Sequence, residues 1–338
     1  MKRSSAKAPS SILILRALQL GDLLCAVPAL RALRGAYPHA RVTLVGLPWA
    51  QSFVERFSAY LDDFIEFPGW PGLPETAPQL ERIPAFLQEM QARQFDLAVQ
   101  MHGAGTITNP ILALSGAKKL AGYYLPGQFC PSNETFWPYP EGEHEIRIWT
   151  QLAEALGAPP DGEHLEFPIM GEEREIFAAF RSTHELDSAP YAILHAGARD
   201  ATRRWPTEKF AAVGDALAER SLRVVLTGSE AERALTEQIE QQMTTRALNT
   251  AGQTALGTLA LLIANARVLV SNDTGVSHIA ATFATPSVIL FSTSDPQRWR
   301  PLNQQIHRGL MDFQRITLQD VLAEIDAASA NAKASAYA

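Results

Sequence analysis

Short runs of aliphatic and β-branched residues alternate with longer segments of helical period along nearly the whole chain, and this alternation limits the fold more than any single motif. It specifies an α/β fold, a parallel sheet with helices over both faces. In the first half, strands are expected at 12–15, 42–45, 64–67, 97–100 and 119–122. Helical spacing falls over 23–36, 49–60, 79–93, 106–115 and 143–156, and the proline- and aromatic-rich stretch 123–140 reads as a loop. Residues 158–190 then turn to prolines and acids with one short helix at 172–181, the character of a linker. A second series follows, with strands at 191–195, 223–227, 246–249, 267–270 and 287–291. Its helices are expected at 207–219, 230–243, 255–264, 275–284 and 318–328. The expected division is a first domain at 1–157, a linker at 158–190, a second domain at 191–316, a last helix within 317–330, and a frayed tail at 331–338.

Two series need two cores, and 338 residues with 46% hydrophobic side chains are enough for both. Only 19% of the residues are charged and the net charge is −7, so no broad cationic surface is available for nucleic acid. Any anion must be held by local groups. Two cysteines, Cys25 and Cys130, make neither a disulfide framework nor a four-thiolate zinc site, and packing accounts for them. The apolar run at 12–15 stops at Arg16, and the one at 259–270 is broken by Asn265 and Arg267. Neither makes an export signal or a membrane span, so a cytoplasmic chain with at most peripheral membrane contact is expected.

The two series open alike, ILILRALQLGD from Ile12 and AILHAGARDATRRWP from Ala192. Ligands of such sheets sit beyond the carboxyl ends of the strands, so the loops there carry the candidate chemistry. In the first, Gly21 permits a tight turn and Asp22 falls at the start of a helix. Asp22 can cap that helix, worth about 0.5 to 2 kcal/mol, or act as a general base whose pKa partial desolvation raises. One carboxylate can do both. In the second, Gly197 and Ala198 let a ligand approach the backbone, and Arg199, Arg203 and Arg204 crowd three cations into one loop. Arginine forks suit phosphate, although pairing with Asp200 or Glu208 is the plainer alternative.

A third stretch, SNDTGVSHIAA from Ser271, follows a strand and opens a helix. Free N–H groups at that helix start, with the Thr274 hydroxyl and Gly275, suit a phosphate. His278 comes about one turn later, where it either faces the same mouth or packs in the core. Glu230, after Gly228, can accept from ribose hydroxyls or complement a helix dipole. His102 and Gly103, with Asn109 beyond, stand at a strand end where an acceptor could bind or where they serve structure alone. The aromatics Phe129, Phe136, Trp137 and Tyr139 can stack on a sugar or fill the core. No dinucleotide-binding glycine fingerprint, P-loop, zinc-protease or nucleophile-elbow motif is found, nor an Asp-x-Asp pair for a divalent ion. No metal ligand set and no cofactor is expected.

Together the three stretches resemble glycosyltransferase family 9, the ADP-heptose:lipopolysaccharide heptosyltransferases. The resemblance runs through ILILRALQLGDLLCAVPALRAL, HAGARDATRRWP and LLIANARVLVSNDTGVSHIAATFATPSVILF, in the family's order. It implies a GT-B architecture of two Rossmann-like domains facing across a cleft, with acceptor on the first, ADP-sugar on the second, and the last helix returning to the first. It also implies an inverting, metal-independent transfer of heptose from ADP-heptose to a lipopolysaccharide-core or related glycan hydroxyl. Asp22 is then the base, with Arg16 and His102 on the acceptor side. Arg203, Asp273, Thr274, Gly275 and His278, with Gly197 and Ala198, take the donor phosphates. Glu230 takes the ribose, and the adenine lies near Gly257. Two departures stand out. Arg203 replaces the family's usual lysine, and Leu18, Gln19, Gly197 and Ala198 stand where small hydroxyl residues are common. The alternatives are a nucleotide-sugar hydrolase or epimerase on the same frame and a non-enzymatic two-lobed sugar-binding protein.

Overall fold

The computed structural model describes residues 8–336, and the chain divides into two compact units, 1–164 and 165–338. The first unit runs β1 (Ser11–Leu15), α1 (Leu20–Ala36), β2 (Arg41–Gly46), α2 (Ala50–Arg56), β3 (Asp63–Glu66), α3 (Ile83–Ala92) and β4 (Leu97–Gln100). It continues with α4 (Thr108–Ala113), β5 (Leu120–Tyr124), β6 (Phe136–Pro138) and α5 (Glu145–Ala155). The strands form one sheet in the order β3-β2-β1-β4-β5-β6, every neighbouring pair parallel. Strand β1 is apolar at every position after Ser11 and buried on both faces, as a central parallel strand must be.

The second unit runs α6 (Glu173–Thr183), β7 (Tyr191–His195), α7 (Thr207–Glu219), β8 (Arg223–Leu226), α8 (Arg233–Gln242), β9 (Leu248–Asn249), α9 (Leu256–Ala264) and β10 (Val268–Asn272). Helix α10 (Gly275–Thr282), β11 (Ser287–Phe291), α11 (Pro296–Trp299), β12 (His307–Met311) and α12 (Leu318–Ala336) complete it. Its order, β12-β11-β10-β7-β8-β9, is again wholly parallel. In each sheet the order reverses once, between β1 and β4 and between β7 and β10. A doubly wound sheet opens a crevice at that point, because the helices leaving the two strands go to opposite faces. The loops after these four strands are therefore the ones that position a site.

The expected α/β class and the ten expected strands are all present, with ends shifted by a few residues. Two edge strands escaped the sequence pattern. Strand β6 carries Trp137-Pro138 in a stretch expected to be a loop, and proline is tolerated there because an edge strand needs no second row of donors. Strand β12 mixes His307, Arg308 and Gly309 with apolar residues and shows no clean period. The region expected as a linker is largely part of the second unit, whose α6 packs against α9. In helix α12, Val321, Leu322 and Ile325 lie in the second unit's core with Val288 and Leu290. The helix also continues through the alanine-rich stretch to Ala336 where a frayed tail was expected, since alanine is the best helix former. The basic start at 1–7 and the final residues 337–338 lie outside the described residues.

Ile325 is 3% exposed against that core. Ile325→Ala is expected to destabilise the protein by about 2–5 kcal/mol, read by denaturant unfolding. A change below about 0.5 kcal/mol would show that α12 does not complete the second core.

Candidate active site

At the first switch point the backbone leaves β1 through Arg16, Ala17 and Leu18 and enters α1. Gln19 caps this helix by a capping box in which the Asp22 carboxylate accepts from the Gln19 N–H at 3.2 Å. The capping role is real, and one Asp22 oxygen fulfils it. The carboxyl remains partly accessible, yet protein surrounds it closely enough that desolvation raises its pKa above the usual carboxylate value. Arg16, the Gln19 N–H and His102 oppose that rise, and Glu145 adds to it. A carboxylate held at a strand end with a raised pKa has the properties of a general base.

Arg16 was expected on the acceptor side, but the structure seals it. It is 1% exposed, and its guanidinium donates twice to the Asp22 carbonyl, at 3.0 and 2.6 Å, and once to the Met101 carbonyl after β4. It also pairs with Glu145 on α5 at 3.0 Å and lies 4.6 Å from the centre of the Trp149 ring. Arg16 thus ties the Asp22 turn to β4 and α5, with its guanidinium engaged on protein groups. His102 is buried after β4, with Nε2 3.3 Å from Glu75 Oε1 and Nδ1 without a hydrogen-bond partner among the described residues. Asn109 binds the Tyr123 carbonyl at 2.9 Å. Of the loop aromatics, Phe136 belongs to the core, Tyr139 packs edge-on to Tyr123, and Phe129 is exposed.

At the second switch point Arg203 reaches from the loop after β7 to the loop after β10. Its Nη2 donates to the Asp273 carbonyl at 2.7 Å and to Asp273 Oδ2 at 2.6 Å. The Ser294 hydroxyl donates to the same carboxylate oxygen at 2.6 Å. Asp273, 5% exposed, is therefore the anchor of a half-exposed arginine. Arg204 is engaged with the Ala198 carbonyl at 2.9 Å, and Arg199 lies exposed in the loop. Thr274 has extended backbone at the N-cap of α10 and no side-chain cap bond. The first-turn N–H groups from Gly275 onward are thus uncapped by a side chain, an arrangement suited to an anion. His278, placed by spacing near that mouth, is 2% exposed and close enough to His307 to disfavour its protonation. Burial and that neighbour push His307 down to about 4, and its Nδ1 lies 2.8 Å from the Ser287 hydroxyl.

The two residues expected on the adenosine side, Glu230 and Gly257, both lie against charged neighbours. Glu230 is exposed and forked onto Arg233 at 2.9 and 2.8 Å. Glu232, two residues on, is the acid at the strand ends. Its carboxylate accepts from the Ser229 N–H and hydroxyl and lies against Gly197, where any side chain would overlap it. Gly257 is likewise covered by the Glu173 carboxylate from α6. The Ser229-x-x-Glu232 spacing is a legible capping box. Glu145, Glu75 and Ser294 left no sequence signal, and Asn272 stood in the motif without a role of its own. Asn272 accepts from the Trp205 N–H at 3.1 Å and donates to the Ala196 carbonyl at 2.7 Å, which fixes the arginine loop to β10.

Two doubly wound parallel sheets with helices on both faces make the GT-B fold seen in the heptosyltransferase II structure. The sequence matches the profile of glycosyltransferase family 9 (heptosyltransferase) over residues 83–319, and the chain belongs to that family. It is 23% identical over 299 residues to lipopolysaccharide heptosyltransferase 3 of Escherichia coli strain K12, covering 85% of this chain and 83% of that protein. A glycosyltransferase family 9 structure from Veillonella parvula superposes with a TM-score of 0.78 at 22% identity, covering 96% of this chain and 97% of that one. The E. coli ADP-heptose lps heptosyltransferase II structure gives 0.74 at 20% identity, with 96% and 99% covered. Among the described residues no helix is long and apolar enough to cross a membrane.

The raised pKa of Asp22 has a stability consequence. The folded state holds the Asp22 proton more tightly than the unfolded chain, so this group's contribution is most favourable below the usual aspartate value of 3.8 and is lost as pH rises through the folded pKa. Asp22→Asn keeps a capping oxygen and removes the buried charge. It is expected to raise the melting temperature at pH 7 and to lose that advantage below pH 3.8. A lower melting temperature at pH 7 would show that the carboxylate is stabilised in place.

Proposed function

We propose that this enzyme transfers heptose from ADP-heptose to a hydroxyl of a lipopolysaccharide-core or related glycan, with inversion and without a metal. The observation that carries the reading is the Asp22 carboxyl at the β1 switch point, capped through one oxygen and desolvated. Asp22 takes the proton of the acceptor hydroxyl as that oxygen bonds to the anomeric carbon. The bond from this carbon to the phosphate oxygen breaks, and ADP departs with the electron pair. Because one base drives a single displacement, the configuration at the anomeric carbon inverts.

The leaving diphosphate needs positive charge. Arg203, held on Asp273 and Ser294, supplies a fixed cation, and the first turn of α10 supplies N–H donors with the Thr274 hydroxyl beside them. These groups stand in for the divalent ion that an Asp-x-Asp enzyme would recruit. Glu232 is placed to accept from the ribose hydroxyls, in preference to Glu230, whose oxygens are committed to Arg233. The relatives' names supply the sugar and the acceptor class in this reading: lipopolysaccharide heptosyltransferase 3 and the ADP-heptose lps heptosyltransferase II.

Asp22→Asn is expected to lower turnover of ADP-heptose with a core-glycan acceptor by about 10² to 10⁴-fold, with ADP affinity changed by no more than a few-fold. Turnover at the wild-type rate would overturn the assignment. Release of free heptose at an equal rate with and without acceptor would make the enzyme a hydrolase.

A further inference from the structure

Among the described residues, Glu145 is the one acid sealed within the first unit's site. It is 1% exposed on the first turn of α5, and its Oε1 accepts both from Arg16 Nη2 at 3.0 Å and from the Trp149 indole at 2.7 Å. A buried charge with such partners costs desolvation that a hydrophobic pair would avoid, so its presence calls for a purpose other than stability. The partner's remaining bonds suggest one. Arg16 donates to the backbone carbonyl of Asp22, not to its carboxylate.

We propose that Glu145 is a positioning residue for the transfer. It neutralises the arginine that grips the Asp22 backbone, so that Asp22 is held in place by a cation while its carboxylate is left without a full counter-ion. The inference rests on Asp22 acting as the base. Three charged or titratable groups bear on that carboxylate. Arg16 comes from the loop after β1, Glu145 from α5, and His102 from the loop after β4, with Glu75 from the loop before α3 behind His102. Of these charged groups Glu145 adds to desolvation in favouring the protonated form, and it is bound to the cation that opposes it.

Glu145→Gln keeps an oxygen that can accept from both Arg16 and Trp149 and removes the charge. Without that charge Arg16 acts on Asp22 unopposed. The acid limb of the kcat–pH profile is expected to move to lower pH by about half a unit or more, a roughly threefold change in ionisation constant, with a lower plateau. Glu145→Asp, which restores the charge, should return the limb toward wild type. A merely structural Glu145 would alter stability and leave the limb in place, and an unmoved limb in a folded Glu145→Gln enzyme overturns the proposal. Trp149→Phe serves if that variant does not fold. It removes a donor from Glu145 and keeps its charge, so the limb should stay or rise, and a downward shift contradicts the account. Asp22→Asn run in parallel separates the two ideas. Activity there removes the base itself, whereas an inactive Asp22→Asn beside an unmoved Glu145→Gln limb removes only the role of Glu145.

Discussion

The first unit's site depends on the Arg16–Glu145 ion pair. Through it the turn after β1, the end of β4 and the first turn of α5 are joined by one guanidinium, and Asp22 is carried on that junction. Removing either partner would leave an uncompensated buried charge, at a cost of about 3–5 kcal/mol. The pair holds Asp22 in position without pairing its carboxylate directly. A carboxylate paired directly with arginine would have a depressed pKa and little appetite for a hydroxyl proton.

The second unit repeats the topology and reverses the electrostatics. Again a carboxylate and an arginine meet at the switch point, but here the buried Asp273 is the brace and the half-exposed Arg203 is presented. One arrangement suits taking up a proton and the other suits stabilising a departing diphosphate. The shared doubly wound frame explains why both sit where the strand order reverses, since only there do neighbouring strand ends open to a ligand.

Much of this was legible in the sequence. The ten core strands announced themselves by aliphatic runs, and Asp22, Arg203, Thr274 and Gly275 by following those runs directly. What could not be read arises from long-range packing. Nothing local to HEIR at 144–147 says that Glu145 lies against Arg16, 129 positions earlier in the chain. Asn272 and Asp273 looked equally polar, yet one locks the arginine loop and the other aims its cation. Spacing left His278 either at the mouth or in the core, and its burial and its electrostatic effect on His307 come from residues distant in sequence. Glu230 and Glu232 differ by two positions in one short helical turn, and which of them faces Gly197 depends on the capping box at Ser229.

The central claim is that the fold keeps Asp22 as a carboxylate with unusual proton affinity. Carbon-13 NMR of the protein labelled at the aspartate side-chain carboxyl, with Asp22→Asn to assign the resonance, measures that affinity directly. The account predicts a midpoint for Asp22 above the usual 3.8. A midpoint at or below that value would show that Arg16 neutralises the carboxylate after all, and would contradict the account.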